Sequence, residues 1–209
     1  MVRVTEVLNY FKEPWYIDWV HRVGRTEANK ISKASMKIGS RVDEIIKEKL
    51  AYVPYMADYK KESKEVHNCL EAFNKWWRIY KPKSITPCSR LYATIEGQEV
   101  TGEPDIMVDD VLVDIKCSSK ISLSYWVQVC IYWFMKHEVW KKGLPSEASR
   151  KVGILRLDKV TASYEYVVQD YDPNKVSVWC GLMRAYCYFK GDDDGGLDIQ
   201  EVGENKEVA

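Results

Sequence analysis

The stretch Gly102-Glu103-Pro104-Asp105-Ile106-Met107-Val108-Asp109-Asp110-Val111-Leu112-Val113-Asp114-Ile115-Lys116 decides how this chain is read. Two short apolar runs flank Asp109-Asp110, a pair that suits a tight turn, so the segment predicts one strand over 99–108 and another over 111–116. Strand side chains alternate in direction. Asp114 and Lys116 therefore share one face, and Val111, Val113 and Ile115 take the other. Asp105 is expected in the preceding strand. Two carboxylates and an ammonium thus meet on a sheet otherwise built of Val, Ile, Leu and Met. Burying such groups is unfavourable unless they bind something. Acid oxygens beside a lysine suit Mg²⁺ or Mn²⁺, one or two ions, which take carboxylates, water and phosphate oxygens. An exposed strand face with an ordinary Lys–Asp pair is the alternative.

The neighbouring segments fill in the architecture. Upstream, residues 90–95 alternate like a strand and Gly97-Gln98 suits a hairpin turn, so three strands are expected to meander. Downstream, Ser122 or Ser124 can cap a helix reaching about 142, stopped by Gly143-Leu144-Pro145. Two more strands are expected over 152–157 and 164–168, and Asp172-Pro173 opens a last helix ending near 190. The first 87 residues read mostly helical. Thr5 can cap a helix over 6–11, and Pro14 opens a second that ends near Gly24. A long amphipathic helix follows over 27–50, with Ile31, Ile38, Val42 and Ile45 at helical spacing, and another spans 60–80. This order predicts an α/β sandwich with a small mixed sheet. One domain over 1–190 is expected, helical in 1–87 and sheet-based in 88–190, with an acidic, disordered tail over 191–209.

Composition narrows the function. The 209 residues are 46% hydrophobic and 30% charged, which excludes global disorder. No apolar run approaches a membrane span, and the N-terminus lacks a secretory pattern, so a soluble, cytoplasmic protein is expected. Net charge is zero, yet residues 190–209 hold seven acids against two lysines, leaving +5 on the body. That balance is compatible with a polyanionic partner. The six cysteines form no CxxC pair and the three histidines are scattered, so neither zinc nor an iron–sulfur cluster is expected.

Several other residues are candidates for contacting nucleic acid. Lys30, Lys33, Lys37 and Arg41 recur at helical spacing as a stripe that can follow a phosphate backbone or simply face water. Ser118, Ser119 and Lys120 directly follow Lys116 and suit phosphate binding, or form a plain polar loop. Trp76 and Trp77, among basic residues, can stack on unpaired bases or pack in the core. Glu103 reads as a supporting acid or as a rim residue paired with a Lys.

Pro104-Asp105 followed by Asp114-Ile115-Lys116 resembles the signature of the PD-(D/E)XK nucleases. Gln128-Val-Cys-Ile-Tyr132 on the following helix is similar to the QxxxY motif of the RecB-like members, including phage exonucleases. Ile38-Gly39-Ser40-Arg41-Val42-Asp43 resembles the Gly-x-x-x-His helix of that group, and the opening Val4–Phe11 its N-terminal segment. The resemblance implies a restriction-endonuclease-like αβββαβ core with a helical N-terminal portion. It also implies a metal-dependent DNA nuclease, an exonuclease acting on ends in replication, repair or recombination, in a bacterial or phage-infected cell. A structure-specific or restriction-type endonuclease, or an inactive nucleic-acid-binding module, are the alternatives. Asp105, Asp114 and the Ile115 carbonyl would hold the metal, and Lys116 would orient or help deprotonate the attacking water. Gln128 and Tyr132, one turn apart, would reach the same side of the site. Two departures stand out: the family histidine is Asp43 here, and the iron–sulfur cysteines of some relatives are missing. Asp43 lies on the flank of the apolar face and Glu44 lies among Lys33, Lys37 and Arg41. Asp43 is therefore expected to bind metal directly or through water and Glu44 is not. Pairing with Lys47 along the helix is the alternative for Asp43.

Overall fold

Two tight turns lay out the sheets. At Glu96-Gly97 (φ 49° and 78°) and Asp109-Asp110 (φ 48° and 67°) both central residues are left-handed, as a two-residue hairpin loop requires. In a computed structural model, which describes residues 1–51, 61–137 and 150–194, the first turn joins β3 (Leu91–Ile95) to β4 (Gln98–Gly102). The second joins β5 (Ile106–Val108) to β6 (Val111–Lys116). The hairpins belong to different sheets. β1 (Val2–Arg3) pairs parallel with β4, giving the order β1-β4-β3. β2 (Ile85–Pro87), β7 (Lys151–Leu157) and β8 (Tyr164–Asp170) join the second hairpin in the order β2-β5-β6-β7-β8.

This corrects the expected continuous strand over 99–108. The chain leaves one sheet for the other at Glu103-Pro104-Asp105, where Pro104 has no N–H to give a ladder. Asp105 therefore sits at the seam between the sheets, its carbonyl accepting from the Cys88 N–H at 2.9 Å. The three strands that precede the crossover helix in the larger sheet are β2, β5 and β6, and the β3–β4 hairpin is inserted among them.

Six helices flank the sheets among the described residues: α1 (Val4–Tyr10), α2 (Pro14–Val23), α3 (Arg25–Ala51), α4 (Lys64–Tyr80), α5 (Leu123–His137) and α6 (Pro173–Asp194). Thr5 lies inside α1, with Arg3 at its cap. Pro14 opens α2 and Gly24, at φ 83°, ends it. The element order α4, β2, β5, β6, α5, β7 gives the expected α-β-β-β-α-β core of an α/β protein. α6 continues through residues 191–194, past the expected boundary. The start of the 60–80 helix, the end of the helix expected to reach 142, and the tail from 195 lie outside the described residues.

The alternation read in β6 is realised as two cores. Val111, Val113 and Ile115 pack with Ile45 and Ile46 of α3 and with Phe73 of α4. Leu112 faces the other way, with Val129 and Trp133 of α5 and Trp179 of α6. Trp76 belongs to the first core and is fully buried, stacked on Tyr80 at 5.7 Å. Its expected role as a base-stacking residue is thereby corrected. Val66, Cys69, Phe73 and Trp76 recur every three or four residues as the inward stripe of α4. Among the described residues no helix is long and apolar enough to cross a membrane.

Candidate active site

β6 carries Asp114 and Lys116 to the α5 side of the sheet, where the surrounding apolar layer takes Asp114 almost out of water. Asp114 is 1% exposed, and its Oδ2 meets Lys116 Nζ at 2.6 Å. The seam brings Asp105 to the same place, its Oδ2 accepting the Ile115 N–H at 2.6 Å. Loss of water and the nearby Asp114 charge push the Asp105 carboxyl up to about 8. Burial likewise raises Asp114, with the Lys116 charge opposing it. Burial alone would lower Lys116, but Asp114 and Asp105 outweigh it and hold the ammonium above the ordinary lysine range. Lys116 therefore keeps its proton in this state and acts as a fixed cation.

α5 supplies the support behind the carboxylate. Gln128 Nε2 donates to Asp114 Oδ1 at 3.3 Å and to Tyr132 Oη at 3.1 Å. Both side chains are buried. The helical spacing that brought them to one side thus makes them a brace for Asp114. Gly102 has a packing reason: a Cβ there would overlap the Tyr132 ring. Lys116 Nζ lies 5.2 Å from the centre of the Tyr125 ring, a cation–π contact that the sequence reading missed. Tyr125, three residues before Gln128, carried the signal in its spacing.

α3 closes the site from the other side. Gly39 and Asp43 line the same cavity, of about 320 Å³, as Asp105, Asp114 and Lys116. Asp43 Oδ2 pairs with Lys47 at 3.0 Å, the helical ion pair foreseen as its plain alternative. Its Oδ1 is buried without a hydrogen-bond partner among the described residues. Lys47 also meets Glu103 at 3.1 Å, and Glu103 meets Arg90 at 2.8 Å, so Glu103 is a rim residue tied to two cations. Burial works against the Lys47 charge, yet Asp43 holds its pKa above the ordinary value. Lys47 was foreseen only as a helical partner of Asp43 and Thr5 only as a cap, and Arg90 and Arg3 were not singled out from sequence. Arg3, Thr5 and Arg90 line the cavity, brought there by pairings between β1, β3 and β4 that span up to a hundred residues.

The remaining candidates are not gathered at the cavity. At 100° per residue, Lys30, Lys33, Lys37 and Arg41 lie on the side of α3 opposite Gly39 and Asp43. Arg41 is taken up by Glu44 at 2.7 Å and Glu62 at 2.8 Å. Ser118 Oγ donates to the Lys120 carbonyl at 2.9 Å, and Lys120 Nζ sits 4.2 Å from the Trp15 ring centre. Ser119 lies between them in the loop after Lys116.

The donor set fits a hard divalent ion. Among the described residues no three acid, imidazole or thiol side chains form a ready-made cage. Mg²⁺ commonly takes one or two carboxylates and fills its shell with water and phosphate oxygens. Asp105 and Asp114 are such a pair, and each carboxyl is raised partly by acidic neighbours, a repulsion that a cation between them would relieve.

No protein-family model matches the sequence, and no curated protein matches it. Solved structures are similar over most of the chain. The crystal structure of SSO0001 covers 90% of this chain and 75% of its own at 8% identity and a TM-score of 0.47. An alkaline exonuclease from Laribacter hongkongensis, LHK-Exo, covers 93% of both chains at 14% identity and a TM-score of 0.42. The same protein in complex with dAMP covers 93% of both chains at 13% identity and a TM-score of 0.44.

Proposed function

We propose that this protein is a divalent-metal-dependent deoxyribonuclease of the PD-(D/E)XK type, acting on DNA ends as an exonuclease. One observation carries the reading: two carboxylates and a lysine, at the sequence spacing of that signature, line one cavity, with the acids desolvated and the amine protonated. Asp105 and Asp114 would hold Mg²⁺ or Mn²⁺ with the Ile115 carbonyl, and Asp43, with Oδ2 on Lys47, would act through its unpartnered Oδ1, directly or by way of water. Once bound, the ion would neutralise charge that develops on the phosphate and the leaving oxygen.

The protein's own groups do the rest. Lys116 places a fixed positive charge beside the reacting phosphate, where it orients the attacking water and offsets the forming charge. The attacking water gives up a proton to solvent, its oxygen bonds to phosphorus, the bridging P–O bond breaks, and the leaving oxygen takes a proton from solvent. Gln128, held by Tyr132, fixes the rotamer of Asp114 and so the direction of its free lone pairs. Digestion of linear and closed circular DNA, single- and double-stranded, with Mg²⁺, Mn²⁺ or EDTA tests the reading. Cleavage of linear DNA that EDTA stops is expected, and closed circles should resist. Rapid linearisation of circles would favour an endonuclease, and full activity in EDTA would exclude the metal reading.

A further inference from the structure

Gly39 occupies the interior of a 27-residue helix, where glycine is a poorer choice than alanine. Three other glycines among the described residues answer to a local need. Gly24 and Gly97 have positive φ, and Gly102 makes room for Tyr132. Gly39 has neither reason: its backbone is ordinary helix, and a Cβ there would meet no heavy atom within 4 Å. Gly181 and Gly191 in α6 also have room but do not border the site.

What surrounds Gly39 is open space on two sides. It lines the cavity of about 320 Å³ that runs past the acids to Arg3, Thr5 and Arg90. It also lines a second hollow of about 310 Å³, bounded by Ser35, Met36, Ser118 and Tyr125. Asp43, Ile115 and Lys116 border both. Gly39, Asp43, Ile115 and Lys116 thus form a waist between two hollows, with Asp105 and Asp114 just inside the first. Each hollow is at the small end of ligand clefts, about 300 Å³ upward, a size suited to one nucleotide unit. One end offers guanidinium groups for phosphate, and the other offers the Tyr125 ring and Met36, which is 62% exposed, for a base.

We propose that a single polynucleotide strand crosses this waist with its backbone against bare Gly39, so that nucleotides on both sides of the scissile phosphate are held at once. Gly39 is then a clearance residue, kept for the substrate and not for the fold. The inference rests on the nuclease reading, and three measurements separate the two. Gly39→Ala should raise the melting temperature by about 2–4 °C. Gly39→Leu should melt no lower than the natural protein and bind Mn²⁺ as before. Its affinity for a short fluorescent single-stranded oligonucleotide, with Ca²⁺ replacing Mg²⁺ to hold off cleavage, should fall about tenfold or more.

Unchanged oligonucleotide affinity in Gly39→Leu overturns the proposal, as does failure of the natural protein to bind the oligonucleotide. So does a Gly39→Leu protein that unfolds, because the room would then belong to the protein itself. Loss of Mn²⁺ binding together with oligonucleotide binding also overturns it, by assigning Gly39 to the shape of the metal site. A natural protein that binds the oligonucleotide but cuts no DNA removes the nuclease reading alone, and the Gly39→Leu titration still decides the path.

Discussion

The two sides of α3 carry the same kinds of residue and do different things. On the outer side Lys33, Lys37 and Arg41 stand near Glu44, and Arg41 is satisfied by its helical neighbour Glu44 and by nearby Glu62. On the inner side Gly39, Asp43 and Lys47 meet charges from distant strands: Glu103 after β4, Asp105 at the seam, and Asp114 and Lys116 on β6. Outer charges interact through water and contribute little. Of the inner charges Asp114 has lost nearly all of its hydration and Lys116 much of it, so each depends on its partners, while Glu103 stays on the exposed rim. Chemistry follows desolvation and convergence, and a count of charged residues along the helix would not separate the two sides.

The largest effects should fall on the desolvated group. Asp114→Asn and Lys116→Ala are each expected to lower DNA cleavage by about 10²–10³-fold or more in a single-turnover assay. Full activity of purified Asp114→Asn would break the contrast outright. Gln128→Ala removes the brace and should cost about 10–100-fold in metal affinity, read by Mn²⁺ titration. On α3 itself, Asp43→Ala should weaken metal dependence about tenfold, while Glu44→Ala on the other side leaves activity within about twofold. Equal losses from both would erase the distinction between the sides.

A milder signature lies in pH. Asp105 holds its proton up to about 8 in the folded metal-free protein, whereas an unfolded chain releases it near 4. The folded state therefore binds the extra proton between those values, and the stability this contributes is present below about 4 and is lost as pH rises through about 8. Thermal melts of the metal-free protein should show that decline, Asp105→Asn should flatten it, and Mg²⁺ or Mn²⁺ should stabilise most at the alkaline end. The smallest effect is expected from Lys33→Ala/Lys37→Ala/Arg41→Ala. Because this stripe faces away from the cavity, the salt slope of oligonucleotide binding should change by less than about one unit. A clearly shallower slope would bring the outer side into the binding surface.

Much of the larger sheet was legible because its signals are local. Asp109-Asp110 announced a hairpin, β6 alternated cleanly, and the spacing of Gln128 and Tyr132 placed both behind Asp114. What stayed hidden depended on partners. Residues 99–108 look like one strand because apolar alternation carries no record of which sheet a strand joins, and Pro104 was the sole local hint of the break. β1 and β2, of two and three residues, are too short to show a period. Trp76 sits among basic neighbours in sequence, yet the period of α4 turns it inward. The Asp43–Lys47 pair was foreseen as a helical contact, but its link to Glu103 needed the fold.

The seam at Glu103-Pro104-Asp105 bears on when the site comes into being. Asp105 is placed only after both sheets exist, and the smaller one needs Val2–Arg3 to find Val100–Thr101. The strand bearing Asp114 and Lys116 must in turn pair with residues 152–156, beyond α5. Such distant pairings are slow to close. During synthesis the pairing with 152–156 cannot begin until three-quarters of these residues have left the ribosome. A partly made or partly unfolded chain therefore carries the two carboxylates and the lysine without their full arrangement, and the cavity exists only once the distant pairings have closed.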